Sequence, residues 1–240
     1  MLRGIYASCC ALVEQAAKAD VVAANIANAS TLGYRRRTVG TMSFPEVLSA
    51  SVDALASHMR LGATAILGRL DFSPGTIEIT NNPLDLAIEG DGLFAVRTPA
   101  GRLLLTRAGR FQLDASGRLV TPEGYAVVGD RGDIVLPPGD VRVAADGRIF
   151  VNGSRVSRLV VYSVQDPNRL TPTASGYFAP QGPIREVERP KVVQGAVEHS
   201  NVSPARELAD MMAALRAYEA NVRAMAIQDQ SIGRLLSAVS

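Results

Sequence analysis

Apolar positions recur at heptad spacing near both ends of the chain and at spacing two between them. Near the start, Leu2, Ile5, Cys9, Leu12, Ala16, Ala19, Ala23 and Ile26 step by three and four residues. Near the end, Leu208, Met211, Leu215, Tyr218, Val222, Met225, Ile232 and Leu236 keep the same rhythm, broken only by Asp229. A stripe of this period predicts a helix that seeks a partner helix along its length. The first helix is expected over residues 2–28. It ends in Asn28-Ala29-Ser30-Thr31-Leu32-Gly33, where cap formers and a glycine remove helical preference. The second is expected to open at Ser203-Pro204, with Ser203 as N-cap and Pro204 in the first helical position.

From Pro74 onward short runs of β-formers alternate with turn residues every 8–12 positions. Thr76–Thr80 alternates at period two. Leu84–Ile88 leads through Glu89-Gly90-Asp91-Gly92 into Leu93–Val96. Leu103–Thr106, Phe111–Leu113, Arg118–Val120 and Tyr125–Val128 continue the series, with Leu159–Tyr162 and Lys191–Val193 read as the last strands. The phrases Asp114-Ala115-Ser116-Gly117-Arg118-Leu119 and Ala145-Asp146-Gly147-Arg148-Ile149 are hairpin material. Residues 44–70 lack either period, because small and polar residues dilute the pattern, and they read as a linker that is partly disordered alone.

Length changes this picture little: 240 residues allow one large domain or two small ones. A net charge of +2 gives no general electrostatic reason to bind nucleic acid or membrane. No run reaches the ~18 apolar residues of a membrane span, so no membrane insertion is expected. Residues 1–30 carry Glu14, Lys18 and Asp20 where a secretory leader would be apolar, so no cleaved leader is expected, and any export would use a route without leader cleavage.

Candidate chemistry is sparse. Cys9 and Cys10 are adjacent, which rules out a loop-closing bridge between them, and they have no metal-ligand spacing; they read as small apolar helix residues. His58 and His199 are the two histidines, and no nucleophile elbow accompanies them. Gly90-Asp91-Gly92 is too short for a dinucleotide fingerprint and reads as a tight turn. Arg131-Gly132-Asp133 reads as a surface turn, and Asn152-Gly153-Ser154 matters only in a glycosylating pathway. Arg35-Arg36-Arg37 lacks flanking aromatics and any recognised nucleic-acid fold, so it reads as a solvated or interface-facing loop. No cofactor, metal or catalytic residue is assigned.

Four longer segments carry a resemblance. Val22-Ala23-Ala24-Asn25-Ile26-Ala27-Asn28-Ala29-Ser30-Thr31-Leu32-Gly33-Tyr34-Arg35 resembles the N-terminal signature of flagellar basal-body rod and hook proteins. Asn82–Phe94 looks like the entry to their shared β domain, and Thr106-Arg107-Ala108-Gly109-Arg110-Phe111 continues it. Gln194–Val202, followed by Arg216-Ala217-Tyr218-Glu219-Ala220-Asn221, is similar to their C-terminal signature. The matches run in order along nearly the whole chain. Length favours rod over hook proteins, and the proximal type over the slightly longer distal type. Ala24, Cys9-Cys10 and Leu32 depart from the usual residues without breaking the stripe.

The resemblance implies an α+β fold in which the terminal helices pair as a coiled coil around a mainly antiparallel β domain. Residues 1–34 and 200–240 would form the helical assembly domain, 35–73 a linker, and 74–199 the outer β domain. It also implies a structural subunit with no enzymatic activity, located in the periplasmic rod. The expected partners are copies of itself, other rod proteins and the export apparatus. The expected assembly interface comprises Leu2, Ile5, Leu12, Ala16, Ala23, Asn25, Ile26, Asn28, Gly33 and Tyr34 from the N-terminal side. From the C-terminal side it takes Leu208, Met211, Leu215, Tyr218, Asn221, Val222, Met225, Ile232 and Leu236. Two other classes compete: a soluble cell-wall or carbohydrate-binding β module, with protease-resistant termini, and an envelope hydrolase, for which the sequence offers no candidate set.

Overall fold

The computed structural model describes residues 2–42, 65–164, 166, 169–173 and 176–239. Two helices bracket the chain, α1 (Leu2–Ala27) and α2 (Pro204–Val239). Between them lie nineteen short strands among the described residues, and every pairing between them is antiparallel. The fold is therefore α+β with a mainly antiparallel β portion. It divides into two compact units. One comprises Met1–Ala27, Arg37–Asp71 and Ser203–Ser240; the other comprises Asn28–Arg36 and Phe72–Val202.

In the helical unit, α1 and α2 pack along each other, and β1 (Arg37–Met42) lies beside α1. β1 pairs with β2 (Ala65–Leu70) from Arg37↔Leu70 to Met42↔Ala65. The stretch expected as a linker thus contributes a paired ribbon at each of its ends. Residues 43–64, and His58 with them, lie outside the described residues.

The β unit is built on one large sheet in the order β15-β16-β6-β5-β9-β8-β7. Its centre is β5 (Leu93–Arg97), β6 (Leu103–Thr106) and β9 (Ala126–Gly129), with β16 (Tyr177–Pro180) beyond β6 and β15 (Leu170–Pro172) at that edge. β7 (Gln112–Leu113) and β8 (Leu119–Val120) finish the other side. A three-stranded meander, β11 (Val141–Val143), β12 (Arg148–Val151) and β13 (Ser154–Arg158), packs its inner residues into the same core. Phe94 and Phe111 meet edge to face there, with ring centroids 5.3 Å apart, the arrangement favoured by aromatic quadrupoles. Phe94, Leu105, Val96 and Val127 are fully enclosed.

One turn is used repeatedly. In Thr98–Arg102, Asp114–Arg118, Thr121–Tyr125 and Ala144–Arg148, the first residue's N–H donates to the fifth carbonyl and the fourth residue's N–H to the first carbonyl. The fourth residue is Gly101, Gly117, Gly124 or Gly147, with φ between 76° and 84°. This is the three-residue hairpin with a left-handed closing position, which glycine adopts without steric cost. Thr173 and Tyr177 close a fifth hairpin with Gly176 at φ 84°. Asp114 reinforces its turn: the Ser116 hydroxyl and the Arg118 amide donate to its carboxylate and hold its pKa well below the usual range. The Tyr177 hydroxyl is pushed far up, by burial first and then by the hydrogen bond it donates to Glu123.

The unit is closed by strands distant in sequence. β18 (Val192–Gln194) pairs with β4 (Leu86–Ile88), and β19 (Ala196–Glu198) pairs with β3 (Ile77–Ile79). Lys191–Val193 is therefore not the last strand; Ala196–Glu198 is, because Gly195 at φ 74° re-aims the chain between them. Asp85 anchors the entry turn, accepting from Thr80 Oγ1 at 2.8 Å and from Asn82 Nδ2 at 3.1 Å.

Candidate assembly surface

The helix pair is antiparallel. Asn25, near the end of α1, donates from Nδ2 to Glu207 in the first turns of α2 at 3.0 Å. Leu12 lies with Val222 and Met225, further along α2. Asn25 also treats Arg37 as a strand edge: its Oδ1 accepts from the Arg37 N–H at 2.9 Å and its Nδ2 donates to the Arg37 carbonyl at 2.8 Å. Asn25 and Glu207 are 1% and 0% exposed, so this polar knot sits wholly inside. Buried polar groups must be paired in this way or they destabilise the fold.

The seam between the helices is small and polar. Its buried members among the described residues are Ser8, Val22 and Asn25 on α1 and Glu207 and Ala214 on α2. Two grooves of about 340 and 290 Å³ run beside it, one lined by Leu12, Val222 and Met225, the other by Ala16, Ala19, Ala214, Leu215 and Tyr218. The large side chains of α2 stay open to solvent, with Leu215, Tyr218 and Val222 at the groove rims. Leu208, Met212, Leu215, Tyr218, Val222 and Ile227 are between 41% and 65% exposed.

This differs from the periodicity reading. The apolar stripes place Cys9, Ala16, Ala23 and Leu208, Leu215, Val222 toward the partner helix. In the structure the most deeply buried helix positions, 8, 22 and 25 on α1 and 207 and 214 on α2, fall one residue, about 100°, before the stripe positions, while Leu12, Ala16, Ala19, Leu215, Tyr218, Val222 and Met225 line the grooves beside the seam. The reason is chemical: Asn25 and Glu207 satisfy each other and Ala214 permits close approach, whereas a hydropathy pattern scores Asn25 and Glu207 as outward-facing and ranks Ala214 below Leu215.

The expected interface residues therefore separate. Ala16, Ala23, Leu208, Leu215, Tyr218 and Val222 are exposed, and Leu12, Ile26, Met211, Asn221 and Met225 are half-buried. Asn221 donates from Nδ2 to its own helix at the Ala217 carbonyl, 2.9 Å away. Leu2 and Ile5 lie on α1, and Ile232 and Leu236 on α2. Asn25, Gly33 and Tyr34 are buried within the subunit and hold its own fold, while Asn28 is half-buried and closes a turn to Thr31.

Arg35 is also corrected. It is not in a solvated loop but 2% exposed, with Nη2 2.9 Å from the Glu198 carboxylate. Arg107, 3% exposed, pairs with the same carboxylate through Nε. Its two Nη groups donate to the carbonyls of Gly92, Ile88 and Gly90, at 2.7 Å for Ile88 and 2.6 Å for Gly90, which fixes the turn before β5. Glu198 also accepts from the Gly75 N–H at 2.8 Å. Arg36 follows with its N–H donated to Asn201 Oδ1 at 2.7 Å. Neither Arg107 nor Glu198 was assigned a role by periodicity. The signal was a charge at the end of an apolar strand, as in Leu103–Arg107 and Ala196–Glu198.

No triple of His, Cys, Asp or Glu side chains suited to a metal occurs among the described residues, and no described helix is long and apolar enough to cross a membrane. Comparison with known proteins places this architecture. Residues 5–35 match the family model described as flagella basal body rod protein. Residues 87–151 match the flagellar hook protein FlgE/F/G D1 domain, and residues 193–238 the flagellar basal body rod FlgEFG protein C-terminal region. The chain is 31% identical to the flagellar basal-body rod protein FlgF of Escherichia coli K12, over 98% of this chain and 97% of that protein. It is 29% identical to FlgG of Buchnera aphidicola subsp. Schizaphis graminum, over 98% and 99%, and 27% identical to FlgG of Bacillus subtilis 168, over 99% of each.

Proposed function

The chain belongs to the flagellar basal-body rod protein family as a FlgF-like structural subunit, and from that premise we propose that it joins the rod through the outer faces of α1 and α2. The observation that carries this is the inversion described above: small and polar residues fill the seam inside the subunit, while Leu208, Met212, Leu215 and Val222 stay exposed. Burying each such side chain is worth roughly 1.5–3 kcal/mol, so neighbouring subunits supply what the isolated subunit lacks. The helices pair as a coiled coil, and copies stack by heterologous contacts that do not close on themselves, which produces a shaft rather than a ring. In the flagellar basal body this shaft crosses the periplasm in the proximal rod, transmits torque and encloses the export channel. The partners are copies of this chain, other rod proteins and the flagellar export apparatus that delivers it. The role is mechanical and no bond is made or broken.

The test uses cells lacking the gene, complemented with wild type, Leu215→Asp or Ile26→Asp. Mass spectrometry of purified hook–basal bodies should find the wild-type chain in the rod and neither variant, while both variants keep the wild-type β content by circular dichroism. Variants present in rods of motile cells would refute the helical interface.

A further inference from the structure

The β unit holds a buried ion cluster in which two arginines share one carboxylate. Arg35, Glu198 and Arg107 are 2%, 1% and 3% exposed, two cations around one anion. Their attachments differ. Arg107 is tied into the body, reaching the three carbonyls of the turn before β5. Arg35 belongs to the short leg, residues 28–36, and also donates from Nη1 to the carbonyl of Ser73 at 3.1 Å. The leg lies close on the body around it. Gly33 donates its N–H to the Glu198 carbonyl at 2.8 Å, and a Cβ at Gly33 would fall 2.2 Å from the backbone nitrogen of Ala108. Arg36 and Asn201 continue the contact, and Asn201 is itself held to Ser73 at 3.0 Å.

We infer that Arg35 is a latch: it straps the leg of residues 28–36 onto the β body through Glu198, and so shields the tribasic run Arg35–Arg37 from trypsin-like proteases. This goes beyond the rod assignment and does not depend on it. Three consecutive arginines in an open loop would be the most cleavable site of such a chain. Removing Arg35 leaves Arg107 paired with Glu198, so the body keeps its own ion pair while the leg loses its tie through that carboxylate. Removing Arg107 does the reverse.

The experiment is amide hydrogen exchange with mass spectrometry on the full chain, wild type against Arg35→Met, with limited trypsin digestion in parallel. The Gly33 and Arg36 amides should exchange at least about tenfold faster in Arg35→Met, as local opening allows, and cleavage after Arg36 should accelerate similarly. The Leu119 and Leu136 amides, which bond within the body, should keep wild-type rates. Arg107→Met should instead speed Leu119 and Leu136. Leg amides unchanged in Arg35→Met would overturn the latch. So would an Arg35→Met chain that fails to fold, since Arg35 would then be a core element of the body rather than its strap.

Discussion

The two units of this molecule treat large apolar side chains in opposite ways. The β unit encloses Phe94, Leu105, Ile134 and Ile149 and sends its charges to the rim or into the buried cluster of Arg35, Glu198 and Arg107. The helical unit encloses Ser8, Asn25, Glu207 and Ala214 and exposes Leu208, Leu215 and Val222. The first arrangement is that of a self-sufficient fold. On the proposed rod assembly the second is one side of a contact, because an exposed apolar stripe of this length is stabilised only when something covers it. One chain thus carries a finished body and an unfinished pair of helices.

The contrast is broken most severely at the triad. Glu198→Ala leaves two buried guanidiniums around a missing carboxylate and should destabilise the β unit by about 3–5 kcal/mol. Urea unfolding followed by far-UV circular dichroism measures this; the chain contains no tryptophan, so the usual indole fluorescence is absent. A loss below 1 kcal/mol would mean that the body does not need its charge cluster.

Next comes the seam. Ala214 is 2% exposed, and Ala214→Leu should overpack it by roughly 1–3 kcal/mol, lowering the helical signal at 222 nm on heating while the β unit melts as before. A variant with unchanged or increased helix stability would show that the seam has room for larger residues.

A smaller effect on the isolated subunit sharpens the comparison. Leu208→Ala combined with Leu215→Ala should change its stability by no more than about 0.5 kcal/mol per site, as for exposed positions elsewhere. The same double variant should be depleted from purified rods. Equal depletion with a large loss of subunit stability would place these residues in the subunit's own core.

The smallest effect concerns the hairpin at Asp114. Its pKa is depressed in the folded state by Ser116 and Arg118, so its stabilisation is complete above the unfolded value of about 3.9 and is lost as pH falls through the folded value. Asp114→Asn should be slightly less stable than wild type at neutral pH, and the gap should shrink as the solution is acidified below pH ~4. Melting curves across pH 2–7 check the sign, and a gap that widens toward acid would contradict it.

Much of this fold was legible in the sequence, and the part that was not has a common cause. Both helices and the hairpins at Asp114 and Ala144 follow from local rules, because capping residues, glycine and period-two alternation act over a few positions. The inward faces of the helices did not follow. Hydropathy ranks Leu215 above Ala214 and has no term for Asn25 meeting Glu207. Arg35 was misread for the same reason: its partner, Glu198, lies at the other end of the β unit, and a run of three arginines looks solvated until that strand is in place. The strands β1 and β2 were hidden by intervening residues that dilute any period. Pairings that depend on a distant partner are the ones local pattern misses.

The five glycine-closed hairpins have a consequence for the order in which the chain organises itself. Each brings its ends together over only a few residues, so its loop-closure cost is small and it forms in microseconds. The closures of β18 on β4 and β19 on β3 join the two ends of the β segment and carry the largest loop entropy within it. On loop entropy they are expected to come last, after the meanders have shortened the path between those ends. Glu198 sits at the end of β19, so its ion pairs with Arg35 and Arg107 can form only when this final strand docks. A subunit whose leg is protected is therefore a subunit that has finished folding its body.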